Sequence, residues 1–253
     1  MVDYHIHTCF SDGEADFRTV IDLAEKQGLE QIAITDHFDP NDVHLLNRFT
    51  TENELALHFE AIRKYSERKR LRVWCGIETC TGFDGCLVLS DRVKSMCDMI
   101  ITSPHYVEYG KPLKAGDYFC RDYWEAYRQK VLNMALGGGD VLGHPEGYLP
   151  IGPMGVEGTT YESRQCLCKE ICDRFFTEDY IEELGRRLVR SGKACELHGA
   201  TSTPREWVVA RLARRGVSFS VGSDAHAVSL LGKSEYAGYL IKKYSLKILS
   251  LPR

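Results

Sequence analysis

The stretch Asp3-Tyr4-His5-Ile6-His7-Thr8, running on through Ser11-Asp12-Gly13, decides how this chain is read. In an extended strand, side chains two positions apart share a face, so His5 and His7 project together while Val2, Tyr4 and Ile6 face the other way. Histidine is not a favoured strand residue. Two imidazoles converging from a rigid strand begin a site for a zinc-like metal that other strand ends must complete with carboxylates and histidines. The alternative is a surface strand with two solvated histidines, and the rest of the chain decides between them.

Outward from that strand, apolar β-rich segments alternate with helical patterns. Asp16 to Gln27 carries Phe17, Val20, Ile21 and Ala24 at helical spacing and is stopped by Gly28. Gln31 to Thr35 reads as a second strand, Thr51 to Arg68 as a helix, Leu71 to Glu78 and Met99 to Thr102 as further strands, and Phe119 to Leu136 as a helix. Asp140 to Gly143, Ala194 to Leu197 and Val217 to Val221 complete the strands, with helices at Glu178 to Arg190 and Arg205 to Arg214. Seven β/α units predict a parallel sheet. The expected fold is α/β, a distorted (β/α)7 TIM-like barrel with a metal site at the C-terminal ends of the strands, because only a closed barrel gathers all those ends at one mouth. Glycine-rich phosphate loops are absent, which removes support for a nucleotide cofactor.

With 253 residues, 43% of them hydrophobic and 27% charged, and a net charge of −4, the chain is expected to fold as a single domain over 1–253. The segment 146–176 reads as an insertion folding over the mouth as a lid. No apolar run approaches the ~20 residues that span a bilayer, and charged and histidine residues stand where a secretory signal would be apolar, so the expected location is cytoplasmic, with no membrane partner. Ten cysteines without a disulfide-framework spacing read as reduced thiols; the tight spacing of Cys166, Cys168 and Cys172 could hold a metal, but in a loop-to-helix segment with no histidine nearby it reads as structural. The basic runs Arg63 to Arg72 and Arg186 to Arg215 read as solvated helix faces without interleaved aromatics, so no nucleic-acid partner is expected.

Of nine histidines, His5, His7, His37, His105, His144, His198 and His226 fall at or just past strand ends, and His44 and His58 in a loop or helix. Asp12, Asp36, Glu78 and Asp224 occupy the same kind of place. A mixed His and carboxylate set selects Zn, Mn or Fe over calcium. So many ligands imply roughly two or three divalent ions with a bridging carboxylate.

The chain resembles the PHP (polymerase and histidinol phosphatase) family, in particular its stand-alone histidinol-phosphatase-like branch. The pieces that carry the resemblance are the opening stretch, Ile34-Thr35-Asp36-His37, Gly76-Ile77-Glu78, Ser103-Pro104-His105, Gly143-His144-Pro145 and Gly222-Ser223-Asp224-Ala225-His226. The resemblance implies a trinuclear site built by His5, His7, Asp12, His37, Glu78, His105, His144, Asp224 and His226. Glu78 is implied to bridge, and Asp36 to hydrogen-bond and orient a ligand. One departure stands out: where histidinol phosphatases carry Glu-x-Asn, this chain has Glu196-Leu197-His198. His198 is expected either to line or hydrogen-bond the pocket, or to act as general acid for the leaving alkoxide or as a phosphate contact.

The expected reaction is hydrolysis of a small phosphate monoester, such as histidinol phosphate, by a metal-bound hydroxide attacking in line. An arginine near the mouth would clamp the phosphoryl oxygens bidentately; Arg205 is the first choice and Arg164 the second. The competing readings are a PHP phosphodiesterase or exonuclease, which needs a basic, aromatic-lined groove, and a non-enzymatic metal-binding barrel, which the complete ligand set opposes.

Overall fold

The structure, a computed structural model, describes residues 1–40 and 50–251; His44 lies outside them. Its elements are β1 (Val2–Asp3), α1 (Phe17–Lys26), β2 (Gln31–Ile34), α2 (Glu52–Ser66), β3 (Arg72–Thr79), α3 (Asp91–Met96), β4 (Met99–Thr102) and α4 (Arg121–Leu136). There follow β5 (Val141–Leu142), α5 (Tyr161–Phe175), α6 (Glu178–Ser191), β6 (Ala194–His198), α7 (Glu206–Arg214), β7 (Phe219–Gly222) and α8 (Glu235–Tyr244).

Local chemistry sets the helix ends. Asp16 accepts the Thr19 N–H at 2.8 Å and starts α1, which buries the expected Phe17, Val20, Ile21 and Ala24. Thr51 and Glu54 form a reciprocal capping box at the start of α2. The seven strands lie side by side in chain order, all parallel. The sheet then meets itself: the Tyr4 N–H donates to Val221 O at 2.8 Å and the His7 N–H to Ala225 O at 3.1 Å. Buried Asp3 ties the same seam, accepting the N–H groups of Ser223 and Gly232 at 2.8 and 2.9 Å. The result is the expected α/β, nearly closed barrel.

β1 is less regular than expected. Ladder pairing stops at Asp3 and resumes only as a bridge between Ile6 and Ala225. Tyr4 therefore joins Ala33, Ile101, Val141 and Ala194 in a small apolar cluster, while Ile6 packs with the α1 and α2 core. β6 keeps strict alternation: Cys195 and Leu197 enter the helix-facing core, and Ala194, Glu196 and His198 share the opposite face. No helix among the described residues is long and apolar enough to cross a membrane.

Candidate metal centre

The strand ends bring the predicted ligands to one place. His5 Nδ1 is 2.6 Å from Glu196 Oε1, which leaves its Nε2 facing Glu78 Oε2 at 3.3 Å. His7 Nε2 lies 3.1 Å from Asp224 Oδ1 and 3.4 Å from Glu78 Oε2. Asp12 reaches the same point from the turn after β1, with Oδ2 at 3.2 Å from His226 Nε2 and 3.6 Å from His37 Nε2. That turn needs its glycine, since a Cβ on Gly13 would stand 2.5 Å from the His7 carbonyl oxygen.

Glu78, at the end of β3, sits between the groups. Its Oε2 faces His5, His7 and His37, the last at 3.1 Å, while Oε1 meets His105 at 3.0 Å and His144 at 2.8 Å. Three ligand sets follow, each with its atoms within 4.8 Å of one another: His7, Asp12, His37 and His226; His5, His7, Glu78 and Asp224; His37, Glu78 and His105. His144 joins them through Glu78. His144 and Asp224 hold φ of 21° and 53°, conformations that non-glycine residues rarely adopt and that gather at functional sites. Gly222, just before, has no room for a side chain, because a Cβ there would meet Glu196 Oε1 at 2.3 Å and His5 Cβ at 2.5 Å.

The donor set fits divalent ions. Among the described residues, the buried atoms His5 Nε2, both nitrogens of His7, Asp12 Oδ1 and Asp224 Oδ1 make no well-aligned hydrogen bond and face only one another and the other ligand candidates. Buried polar atoms left unpaired are costly, and these lie together among carboxylates and imidazoles. Burial opposes ionisation of Glu78 and Asp224, yet the His5 imidazole and its neighbours hold both carboxyls well below the usual range. Burial and the adjacent His7 push His37 down to about 3, so it is neutral and able to ligate. Burial works against charge on His226, but the carboxylates of Asp12 and Asp224 lift it to about 11. His226, Asp12, His7 and His37 would hold a cation there only with that proton given up.

Of the residues expected to act beside the ligands, Asp36 and Arg205 turn away from them and His198 bonds one of them. Asp36 touches no ligand ring by hydrogen bond. It accepts the Thr8 N–H at 2.7 Å, the Thr8 and Ser11 hydroxyls at 2.8 and 2.7 Å, and His58 Nε2 at 3.0 Å, so it fixes the turn between His7 and Asp12. His198 is fully buried, with Nε2 3.0 Å from Asp224 Oδ2 and Nδ1 2.6 Å from Thr201 Oγ1. The Thr201 N–H also points at Nδ1, at 3.4 Å. A backbone N–H only donates, so Nδ1 accepts there and Nε2 is the nitrogen that donates to Asp224. Both ring nitrogens of His198 are thus engaged, one with Asp224 and one with Thr201.

Arg205 is likewise corrected. Its guanidinium bonds Glu146 Oε1 at 2.7 Å and Asp173 Oδ1 at 2.6 Å and lines a different hollow, so it does not reach the ligands. Arg164 does line the ligand cavity, a space of about 490 Å³ shared with Asp12, Glu78, Asp224, Tyr148 and Leu149. The wall it stands on comes from the 146–176 segment, whose helix α5 anchors Cys168, Ile171 and Cys172 in the core. Sequence reasoning missed Glu196 as a site residue. Its place two residues before His198 on a strand whose end faces the ligands was the available signal.

The class defined by this fold and site is a TIM-like barrel with a multi-ligand His and carboxylate centre at its strand ends. The PHP domain profile matches residues 3–187, and the chain belongs to that family. It is 25% identical to the "Probable histidinol-phosphatase" of Thermotoga maritima, over 99% of this chain and 95% of that protein. It is 26% identical to the DNA polymerase/3'-5' exonuclease PolX of Bacillus subtilis, over 90% of this chain but 35% of that protein. The fold matches a histidinol phosphate phosphatase from Lactococcus lactis, solved with zinc, L-histidinol and phosphate, with a TM-score of 0.69, 17% identity, and 99% and 95% coverage of the two chains.

Proposed function

We propose that the chain is a metal-dependent phosphatase that hydrolyses a small phosphate monoester, with histidinol phosphate the substrate favoured by its relatives. The observation that carries this reading is the overlap of three ligand sets, two of them joined through Glu78, in one cavity with Arg164. Two or three ions of zinc, manganese or iron would be held by His5, His7, Asp12, His37, Glu78, His105, His144, Asp224 and His226, as the three sets and the His144–Glu78 contact suggest. Divalent ions in such a site bring the pKa of a bound water toward neutrality and neutralise charge on the phosphoryl group.

The chain's own side chains do the rest. Arg164 is exposed to the cavity and makes no ion pair among the described residues, so its planar fork is free to hold two phosphoryl oxygens. Tyr148, Leu149 and Pro150 offer the leaving group an aromatic and apolar wall. Glu196 and His198 hold His5 and Asp224 in place.

The test is a screen of phosphomonoesters, histidinol phosphate included, alongside single-stranded DNA, with metal content counted in the same preparation. Metal-dependent release of phosphate from a monoester is expected. Faster release of nucleotides from DNA than of phosphate from any monoester, or full turnover after metal stripping with chelator present, overturns the reading.

A further inference from the structure

A separate hollow of about 310 Å³ lies where the start of α4, the end of α5 and the start of α6 meet. It is lined by Phe119, Arg121, Arg128, Arg174, Phe175 and Thr177. It shares no residue with the ligand cavity. Three guanidinium groups and no carboxylate line one concavity on a chain whose net charge is −4.

Each arginine is placed without a strong anionic partner. The Arg174 guanidinium carbon lies 5.1 Å from the Phe119 ring centroid and 5.6 Å from that of Phe175. Such stacking steadies the cation while leaving the N–H edges in its own plane. Neither Arg121 nor Arg174 forms an ion pair among the described residues. Arg128 donates to the Phe175 carbonyl at 3.1 Å, and its Nε is buried with no hydrogen-bond partner. Its nearest carboxylate, Glu125, is 4.0 Å away and largely exposed, a contact that neutralises little.

Three helix ends frame the arginines. α4, of 16 residues, begins at Arg121, and its N-cap Cys120 makes no side-chain cap bond. α6, of 14 residues, begins just after Thr177, whose hydroxyl accepts the Tyr180 N–H at 3.4 Å, and the acidic first-turn residues Asp122, Glu178 and Asp179 lie outside the lining of the hollow. Like charges gathered this way repel one another, and a bound anion reverses the sign of that interaction.

We propose that this hollow is a binding site for a tetrahedral oxyanion of the phosphate class, distinct from the metal centre. Three guanidinium groups offer more donors than the two oxygens of a carboxylate can take, and match the oxygens of phosphate or sulfate. The site stands at the far end of the helix that presents Arg164. Arg164 and Arg174 are ten positions apart on α5, about 15 Å along its axis.

Calorimetric titration of the metal-loaded protein with inorganic phosphate tests this, comparing the wild type with Arg121→Gln/Arg174→Gln and with Arg164→Gln. Both substituted arginines of the double variant are exposed, so folding is preserved. The expected result is a class of phosphate binding that persists in Arg164→Gln and weakens at least about tenfold in the double variant. The double variant should still hydrolyse p-nitrophenyl phosphate at the wild-type rate. In the same class, sulfate should compete and acetate should not. Phosphate binding indistinguishable between the double variant and the wild type, or equal competition by acetate, overturns the proposal.

Discussion

His5 Nδ1 and Glu196 Oε1 lie 2.6 Å apart in a fully buried contact, and Glu196 uses its other oxygen to accept the His144 N–H at 2.7 Å. One carboxylate thus sets the ring of one ligand and the backbone of another. Burial opposes charge on Glu196, but His5 outweighs it and keeps the carboxyl ionised. Glu196→Gln should preserve the fold and lower metal affinity about 10- to 100-fold, the usual effect of losing a partner that orients a ligand. Competition with a chelator measures this, and unchanged retention of metal would refute the assignment.

His198 poses a sharper version of that question, because the Thr201 N–H leaves Nε2 as the nitrogen that donates to Asp224. Asparagine can still donate to Asp224 Oδ2 from its amide, whereas phenylalanine cannot. We expect His198→Asn to retain most metal and turnover, and His198→Phe to lose about tenfold or more in metal affinity. If His198 were the acid for the leaving group, both variants would lose kcat with metal content intact, and the loss would vary with leaving-group pKa.

The two arginines should separate cleanly. Arg164→Lys replaces a planar fork with a point charge, so kcat/KM should fall by about one to two orders of magnitude with metal content unchanged. Arg205→Met should leave kcat/KM unchanged in folded protein, but removing the partner of the buried Glu146 carboxylate should cost about 3–5 kcal/mol of stability. Urea unfolding and steady-state kinetics on both variants decide it. Loss of catalysis in Arg205→Met at undiminished stability would return Arg205 to the active site.

A pH dependence follows from Lys193, which is buried and donates to Thr102 Oγ1 at 3.1 Å and to the carbonyls of Met134 and Gly138 at 2.7 and 2.5 Å. Burial lowers its ammonium from 10.5 to about 8, with Asp140 opposing. The unfolded chain therefore binds more protons between about pH 8 and 10.5, so this group's contribution to stability rises with pH across that window. Below pH 8 it is a constant penalty. Wild type should gain roughly 2 kcal/mol relative to Lys193→Met between pH 7 and pH 10. The comparison between the two proteins cancels the cysteines and tyrosines that titrate nearby in pH. A difference that stays flat with pH would contradict it.

The ligands were legible because a parallel barrel places strand ends at one mouth, so position in the sequence is nearly position in the site. Histidines after β4, β5 and β7 needed no knowledge of side-chain direction. Arg205 and His198 did need it. Each lies next to the mouth in the chain, but what its side chain bonds is set by tertiary partners, here Glu146 for Arg205 at the start of α7 and Thr201 and Asp224 for His198 at the end of β6. Helix α5 is only weakly marked in the sequence for a related reason: it buries only Cys168, Ile171 and Cys172, too thin a stripe to announce its period and bounds. Tyr4 was misjudged because β1 loses its ladder after two residues, and with it the strict alternation that reading assumed.

The seam joined by Tyr4 and Val221, and by His7 and Ala225, makes the site a late event in the life of the chain. His5 and His7 leave the ribosome first, and Asp224 and His226 more than two hundred residues afterwards. Contacts of such sequence separation form slowly, since loop closure precedes their reward. A nascent chain carries an open sheet with an unpaired edge until its last strand arrives. Any metal captured earlier meets only part of the final ligand set, so tight retention of metal reports that the two ends of the barrel have met.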